Sequence, residues 1–318
     1  MKTSIKRLLV TSVAAAGLAV VTTAAMAGYP EKPIRIIIPF PPGGTTDTVF
    51  RTVQPYFQKA IGQTVVIVNT KGGGGSVGTI EAIRAKPDGY TIGTLQTNTM
   101  VAQEVGLGKY ADDEYVPTVS IGDMPLAVTV NGDGKIADLK AYKALAEKNP
   151  GKVGVAMGVG TLAHFVAKMM ENSLGTPLKL VNAGGGAKKK AAVLGGHVEA
   201  MIDPPPGAMG AHKAGQLKMI AVFDTKRLDA LPDVPTAREQ GVDLLAYQTK
   251  GFFVPKGTPD SVKKVIADAM CSLNDNTEMQ AKLAKLAVVW SCKSGDAYVK
   301  YIDGIRQDVK KVAKQMGY

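Results

Sequence analysis

Apolar positions along this chain alternate between two patterns. A β-branched run at residues 36–38 gives way to Pro41, Pro42, Gly43 and Gly44, then Thr45, Thr46 and Asp47; beyond them Val49, Phe50, Val53, Phe57 and Ile61 recur at helical spacing. The first pattern predicts a buried strand, the second a helix whose apolar stripe packs into a core. A plain strand-to-helix connection needs no such bias toward Pro and Gly. The same strand, glycine-loop, helix design returns in residues 63–85 and 151–170, and more loosely in 178–196. Further strand-like runs occupy residues 90–98, 125–130, 197–203, 217–223 and 251–255. Alternating strands and helices predict an α/β protein with parallel sheets covered on both faces. From Thr258 the pattern becomes helical. Thr258 reads as a cap, Pro259 as the first helical position and Asp260 as a complement to the helix dipole. Three helices follow over residues 260–273, 277–287 and 294–316.

The N-terminus follows another logic. Lys2, Lys6 and Arg7 precede an apolar run over residues 8–21 and an Ala-Met-Ala at 25–27. That is the pattern of a secretory signal peptide cleaved after Ala27, with a retained anchor as the alternative. Loss of its three basic residues lowers the formal charge of +11 to +8. The remainder suits two domains of ordinary size. With aromatics at 6% and no basic stripe interleaved with them, nucleic acid is a poor partner. Export would place Cys271 and Cys292 in an oxidising compartment, so they either pair or remain as two buried thiols. Neither has a spacing that suggests a metal site, and His164, His197 and His212 are isolated. No metal or cofactor is expected.

The glycine loops are the candidate chemistry. A helix N-terminus leaves backbone N–H groups unpaired and carries partial positive charge, and glycine before it lets an anion approach the backbone. Two such loops on neighbouring strands, Pro42, Gly43, Gly44, Thr45, Thr46 and Asp47 with Gly74, Gly75, Ser76, Val77 and Gly78, would form an anion pincer; the plain alternative is a set of tight turns. Residues 73–78 also match G-x-G-x-x-G, but Asp88 precedes the next strand instead of following it, so a dinucleotide site is not supported. Residues 74–78 match G-x-S-x-G as well, which leaves a secreted serine hydrolase using Ser76, with Asp203 and His212 or His164, as the rival reading. Lys188, Lys189 and Lys190 either support an anion site or form a solvated helix face, and Asp203 either meets a ligand donor or orients the turn after it.

Residues 29–47, 65–92, 158–165 ("GVGTLAHF"), 193–203 ("VLGGHVEAMID"), 226–241 ("KRLDALPDVPTAREQG") and 251–259 ("GFFVPKGTP") together resemble the Bug-type receptors, the extracytoplasmic solute-binding proteins of tripartite tricarboxylate transporters. The resemblance implies a two-domain, type II periplasmic-binding-protein clamp with the ligand in the cleft. It assigns residues 28–123 and 248–318 to domain 1 and 124–247 to domain 2, with hinge strands near 117–124 and 247–252. It implies a non-enzymatic, monomeric periplasmic receptor for a small organic carboxylate, partnered by one large and one small membrane permease subunit. An orphan ligand sensor is the alternative within this class. The implied ligand contacts are the two loops above, the loop Thr97, Asn98 and Thr99, and in the second domain Gly160, Thr161, Leu162, Ala183, Gly184, Gly185, Gly186 and Asp203. The "VNAGGGAKKK" stretch departs from the family's common pattern and, with Lys250, tilts the ligand toward a di- or tricarboxylate.

Overall fold

The computed structural model describes residues 28–318, so the leader expected at 1–27 lies outside the described residues. Along the chain run β1 (Ile34–Ile38), α1 (Thr45–Ile61), β2 (Val65–Asn69), α2 (Ser76–Ile83), β3 (Thr91–Gln96), α3 (Thr97–Glu104) and β4 (Tyr115–Pro125). Then come β5 (Ala127–Asn131), α4 (Leu139–Lys148), β6 (Gly154–Met157), α5 (Leu162–Leu174), β7 (Lys179–Asn182), α6 (Gly186–Leu194), β8 (Ala200–Asp203), α7 (Pro206–Lys213) and β9 (Leu217–Val222). The chain ends with β10 (Tyr247–Pro255), α8 (Asp260–Cys271), α9 (Thr277–Lys285), β11 (Val289–Trp290) and α10 (Gly295–Gln315).

Two sheets result, a six-stranded one of order β11-β4-β10-β3-β1-β2 and a five-stranded one of order β7-β6-β8-β5-β9. They form two lobes. The sheets are mixed and not purely parallel. β1, β2 and β3 run together, as do β6, β7 and β8, but β4, β10 and β5 run against their neighbours. The reason is the crossing: β4 carries the chain out of the first lobe and β10 brings it back. These two pair antiparallel from Tyr247 opposite Pro125 to Pro255 opposite Tyr115, with the register shifting between Lys250 and Gly251 and between Phe252 and Phe253, in the stretches expected to hinge. The crossing itself lies beyond them. There Leu126 donates to Ala246 O (3.0 Å), Phe223 donates to Leu126 O (2.9 Å) and Ala246 donates to Phe223 O (3.1 Å).

The stripe Val49, Phe50, Val53, Phe57 and Ile61 of α1 is buried in the first lobe against Phe252. The last helix spans both lobes: Tyr298 and Ile302 of α10 pack in a first-lobe cluster, Val309, Val312 and Ala313 in the second-lobe cluster. At the start of α8, Pro259 is the residue before the helix and Thr258 turns its hydroxyl back to Pro255 O (2.8 Å), so Thr258 is not the cap. Among the described residues no helix is long and apolar enough to cross a membrane.

Cys271 and Cys292 are joined by a disulfide with a Cα–Cα separation of 5.5 Å, linking the end of α8 to the segment after β11. Closing a loop of 21 residues contributes about 3 kcal/mol in the chain-entropy model. Cys271→Ser/Cys292→Ser should therefore lower the unfolding free energy by about that amount. Urea titration of both proteins checks this; equal midpoints and slopes would show that the bridge contributes nothing.

Candidate functional site

A cavity of about 350 Å³ opens between the lobes, where the C-terminal ends of β1, β7 and β8 face one another. Cavities of similar size lie elsewhere. One of about 330 Å³, between residues 226–230 and α9 with β11, lies on the other side of the crossing strands. Another, of about 460 Å³, lies within the first lobe beside α8. The interlobe cavity at the strand ends is distinguished by collecting three helix N-termini: Gly44, Thr45 and Thr46 of α1, Thr161, Leu162 and Ala163 of α5, and Gly184, Gly185 and Gly186 of α6. None of the three carries a side-chain cap, so their first-turn amides stand without an intrahelical acceptor. Leu162 N accepts partial satisfaction across the cleft by donating to Asn98 Oδ1 (3.3 Å), one of the places where the lobes meet.

The first-lobe wall is backed by a buried cation. Lys250 is fully buried in the middle of β10, and its Nζ donates to Gln248 Oε1 (2.8 Å), Gln96 Oε1 (2.9 Å) and Thr46 Oγ1 (3.2 Å). Thr46 in turn donates to Gln96 Oε1 (2.9 Å). Three acceptors satisfy the three N–H bonds of an ammonium, yet among the described residues no carboxylate pairs with it, and burial pushes Lys250 down to about 7. Thr46 and Gln248 line the cavity, so the charge lies one side chain behind its surface.

The second-lobe wall is arranged differently. Lys189, buried on α6, donates to Asp203 Oδ1 (2.7 Å) and to Ile202 O (3.0 Å), and both Lys189 and Asp203 line the cavity. Burial pushes the Asp203 carboxyl up, against the pull of Lys189.

Of the expected contacts, Gly44, Thr45, Thr46, Asn98, Thr161, Leu162, Gly184, Gly185, Gly186 and Asp203 line this cavity; Pro42, Gly43, Asp47, Thr97, Thr99, Gly160 and Ala183 do not, nor does the loop Gly74, Gly75, Ser76, Val77 and Gly78. The reasons are visible. Asp47 is turned inward, accepting from Gly43 N (2.8 Å), Asn69 Nδ2 (2.8 Å) and Arg51 Nε (2.9 Å). Burial opposes its charge, but the bonds from Arg51, Gly43 and Asn69 hold it below the ordinary carboxylate range. It shapes the first loop from behind, and Pro42 and Gly43 lie on the loop's exposed side. Thr97 and Thr99 belong to the first turn of α3, not to a loop. Thr97 donates to Tyr247 O (3.0 Å) and accepts from Thr249 N (3.0 Å), stapling α3 to β10, while Thr99 donates to Gln96 O (2.8 Å). Ala183 N continues the second sheet by donating to Met157 O (2.9 Å). Gly160 holds a turn at φ +71° beside Val105 and Leu107, and Val77 points outward, about half exposed.

The second glycine loop meets the cavity indirectly. Gly75 sits at φ +103°, and a Cβ there would stand 2.9 Å from Phe40 Cζ and 2.9 Å from Thr99 Cγ2. Phe40 lines the cavity, so this loop seats part of its wall. A Cβ at Gly78 would stand 2.5 Å from Thr70 O and 2.8 Å from Pro39 Cα, which keeps α2 close against β1. Gly74 packs on Ala102 and Leu107 in the same way.

Nor is the hydrolase arrangement assembled. Ser76 is buried, and its Oγ has no hydrogen-bond partner, histidine included. His164 accepts from Gly160 N (3.4 Å), His212 faces Asp233, and Asp203 is committed to Lys189. Ser76→Ala should accordingly change stability by less than about 1 kcal/mol, since the removed hydroxyl bonds to nothing. Loss of a ser-dependent esterase activity in that variant would overturn this. Among the described residues no group of three or more His, Cys, Asp or Glu is placed to hold a metal ion.

The cavity also draws on Phe40, Leu126, Ala163, Pro204 and Gln248, which lie outside the expected set, and on Pro41 and Lys189, which the sequence raised without listing them as contacts, with Gln96 and Lys250 behind. Lys189 carried a signal, since it stands four residues before Val193 and the two are the buried positions of α6. Lys250 carried another, as a lone charge inside a run that is otherwise a buried strand.

Comparison with known proteins agrees with this geometry. BugT of Bordetella pertussis is 31% identical over 258 residues, spanning 79% of this chain and 78% of BugT. The structure of a TctC solute binding protein from Polaromonas superposes with a TM-score of 0.78 at 26% identity, covering 91% of this chain and all of that one. MatC from Rhodopseudomonas palustris, determined with bound malate, shares the fold with a TM-score of 0.72 at 24% identity, covering 90% of this chain and 100% of MatC. The sequence pattern of the tripartite tricarboxylate transporter family receptor, TctC, matches residues 49–318, and with a two-lobed fold and an interlobe cleft the chain belongs to that family of solute-binding receptors.

Proposed function

We propose that this protein captures a small organic carboxylate in the interlobe cleft and delivers it to a membrane permease of one large and one small subunit. The observation that carries the reading is Lys250: a fully buried lysine with three neutral acceptors and, among the described residues, no carboxylate partner, one side chain behind a cavity wall formed by a helix N-terminus. A buried charge without a counter-ion is costly, and an anion from outside supplies the missing one. The ligand carboxylate then meets the first-turn amides of α1. Malate bound to MatC, a neighbour in fold, is in keeping with such a ligand.

Residues 28–123 with 248–318 would move as one body and 124–247 as the other. Motion would be absorbed along the crossing strands, where the β4–β10 register shifts at Lys250/Gly251 and Phe252/Phe253, and around Leu126 and Ala246, where the chain passes between the lobes. The protein would act as a periplasmic monomer after cleavage of its leader behind Ala27.

A thermal-shift screen of mono-, di- and tricarboxylates and amino acids tests the reading. A ligand at 100 times its Kd stabilises by about 2.7 kcal/mol. The expected result is a shift with at least one carboxylate and none with its methyl ester. No shift with any carboxylate, from protein shown by calorimetry to be free of carried-over ligand, would remove it.

A further inference from the structure

Among the residues lining the cleft two carry charge, and they belong to the same ion pair. Lys189 Nζ lies 2.7 Å from Asp203 Oδ1, with the lysine side chain 5% and the aspartate side chain 22% exposed. Asp203 Oδ2 turns toward the first residue of α6, where a Cβ on Gly186 would stand 2.7 Å from it. The cation of the second lobe is thus matched by a carboxylate of the protein itself, whose other oxygen stands beside the first residue of α6. On the opposite wall Lys250 has no such partner among the described residues, and the N-terminus of α1 carries no side-chain cap. Asp47, the nearest acid of that wall in sequence, is spent on Arg51, Asn69 and Gly43. Counted together, the cleft lining and its buried backing carry one unmatched positive charge, and it lies on the first-lobe side.

We infer that the ligand carries a single carboxylate, held against the first lobe, and presents a hydrogen-bond donor such as a hydroxyl to Asp203 at its other end. This rests on the carboxylate reading above and narrows it. A second carboxylate at the far end would meet Asp203 instead of a free cation, and like charges face to face in a closed cleft oppose binding. Lys189 cannot turn to such a ligand without stranding Asp203, because its ammonium is the hydrogen-bond partner that carboxylate has. A hydroxyl, by contrast, gains a charged acceptor in Oδ2, to which no hydrogen bond is made among the described residues. The pair Lys189–Asp203 therefore selects against the di- or tricarboxylate that the family resemblance favours.

The test is calorimetric titration of the full processed chain with matched acids of equal length: 4-hydroxybutyrate against succinate, 5-hydroxypentanoate against glutarate, 6-hydroxyhexanoate against adipate. If another carbon skeleton binds best in the screen, its hydroxy-ended and carboxylate-ended forms are compared instead. The wild type should bind the hydroxy acid at least about tenfold more tightly. Asp203→Asn should reverse the order, because Lys189 becomes free for a second carboxylate. A wild type that binds the diacid as tightly or more tightly overturns the inference and leaves the carboxylate reading standing. Binding of no carboxylate at all removes both. The wild-type comparison needs no variant, so the inference is decided even if Asp203→Asn proves unfolded by circular dichroism; a folded Asp203→Asn with an unchanged ratio also overturns it.

Discussion

Lys250→Met should weaken carboxylate binding by about a hundredfold and leave the fold intact. A carboxylate seated beyond Thr46, on the order of 6 Å from the ammonium at an effective dielectric constant of about 20, gains about 3 kcal/mol from that charge, or about two decades of affinity. Stability is pulled both ways. Removing a fully buried charge relieves its desolvation, while Gln248 Oε1 and Thr46 Oγ1 each lose a donor. The pH dependence separates this mechanism from a loss of shape. Burial pushes Lys250 down to about 7 from an ordinary 10.5. Between those values the unfolded chain binds a proton that the folded, ligand-free protein lacks, so ligand-free stability rises with pH across this window and is lowest below it. Binding runs the other way: the anion needs the ammonium, so affinity is full below about 7 and falls above it, by up to tenfold per pH unit. Titration calorimetry from pH 6 to 9 should show this slope in the wild type and a flat line in Lys250→Met. A flat wild-type profile together with wild-type affinity in the variant would sink the assignment.

Gly75→Val should cost both stability and binding although Gly75 does not line the cleft. The residue sits at φ +103°, a region that a β-branched side chain rarely enters, and its Cβ would press on Phe40 and Thr99, each 2.9 Å away. The backbone strain costs about 1–3 kcal/mol, and overpacking about 1–3 kcal/mol more. Relief requires Phe40 to move, and Phe40 is part of the cavity wall. Affinity should fall at least about tenfold, with a lower urea midpoint. Gly43→Ala is the control: its φ of +74° also strains a side chain, but a Cβ there meets nothing within 4 Å, so it should lose some stability and keep its binding. A folded Gly75→Val protein with wild-type affinity would show that Phe40 does not form the ligand-facing wall.

Much of the fold was legible from local pattern. The α1 stripe, the repeated strand and glycine-loop units, and the three closing helices all follow from periodicity, since burying one face dictates which positions must be apolar. Strand direction was not legible. Nothing in the residues of β4 or β10 states that they run against their neighbours; that follows from the chain leaving one lobe and returning to it. The two strands expected to hinge pair along their length with register shifts at Lys250/Gly251 and Phe252/Phe253, and the pairing runs on into the crossing at Leu126 and Ala246, details that only the assembled sheet displays.

The candidate site divides along a similar line. The amino-acid sequence by itself determined that helix N-termini preceded by glycine would be available to an anion, because a glycine-rich turn into an uncapped helix leaves amides exposed whatever the surroundings. It could not say which loops reach the cleft. Residues 74–78 look as well suited as residues 42–47, yet Gly75 is filled by Phe40 and Thr99, contacts that join residues far apart in the chain. The charges were visible in the sequence, but their pairing was decided by tertiary structure. Lys189 is one of three adjacent lysines until the rotation of α6 buries it against Asp203, and Lys250 is one cation among many until β10 is closed in by β3 and β4. A charge acquires its role from what surrounds it, through burial and the presence or absence of a partner, and both are properties of the assembled fold.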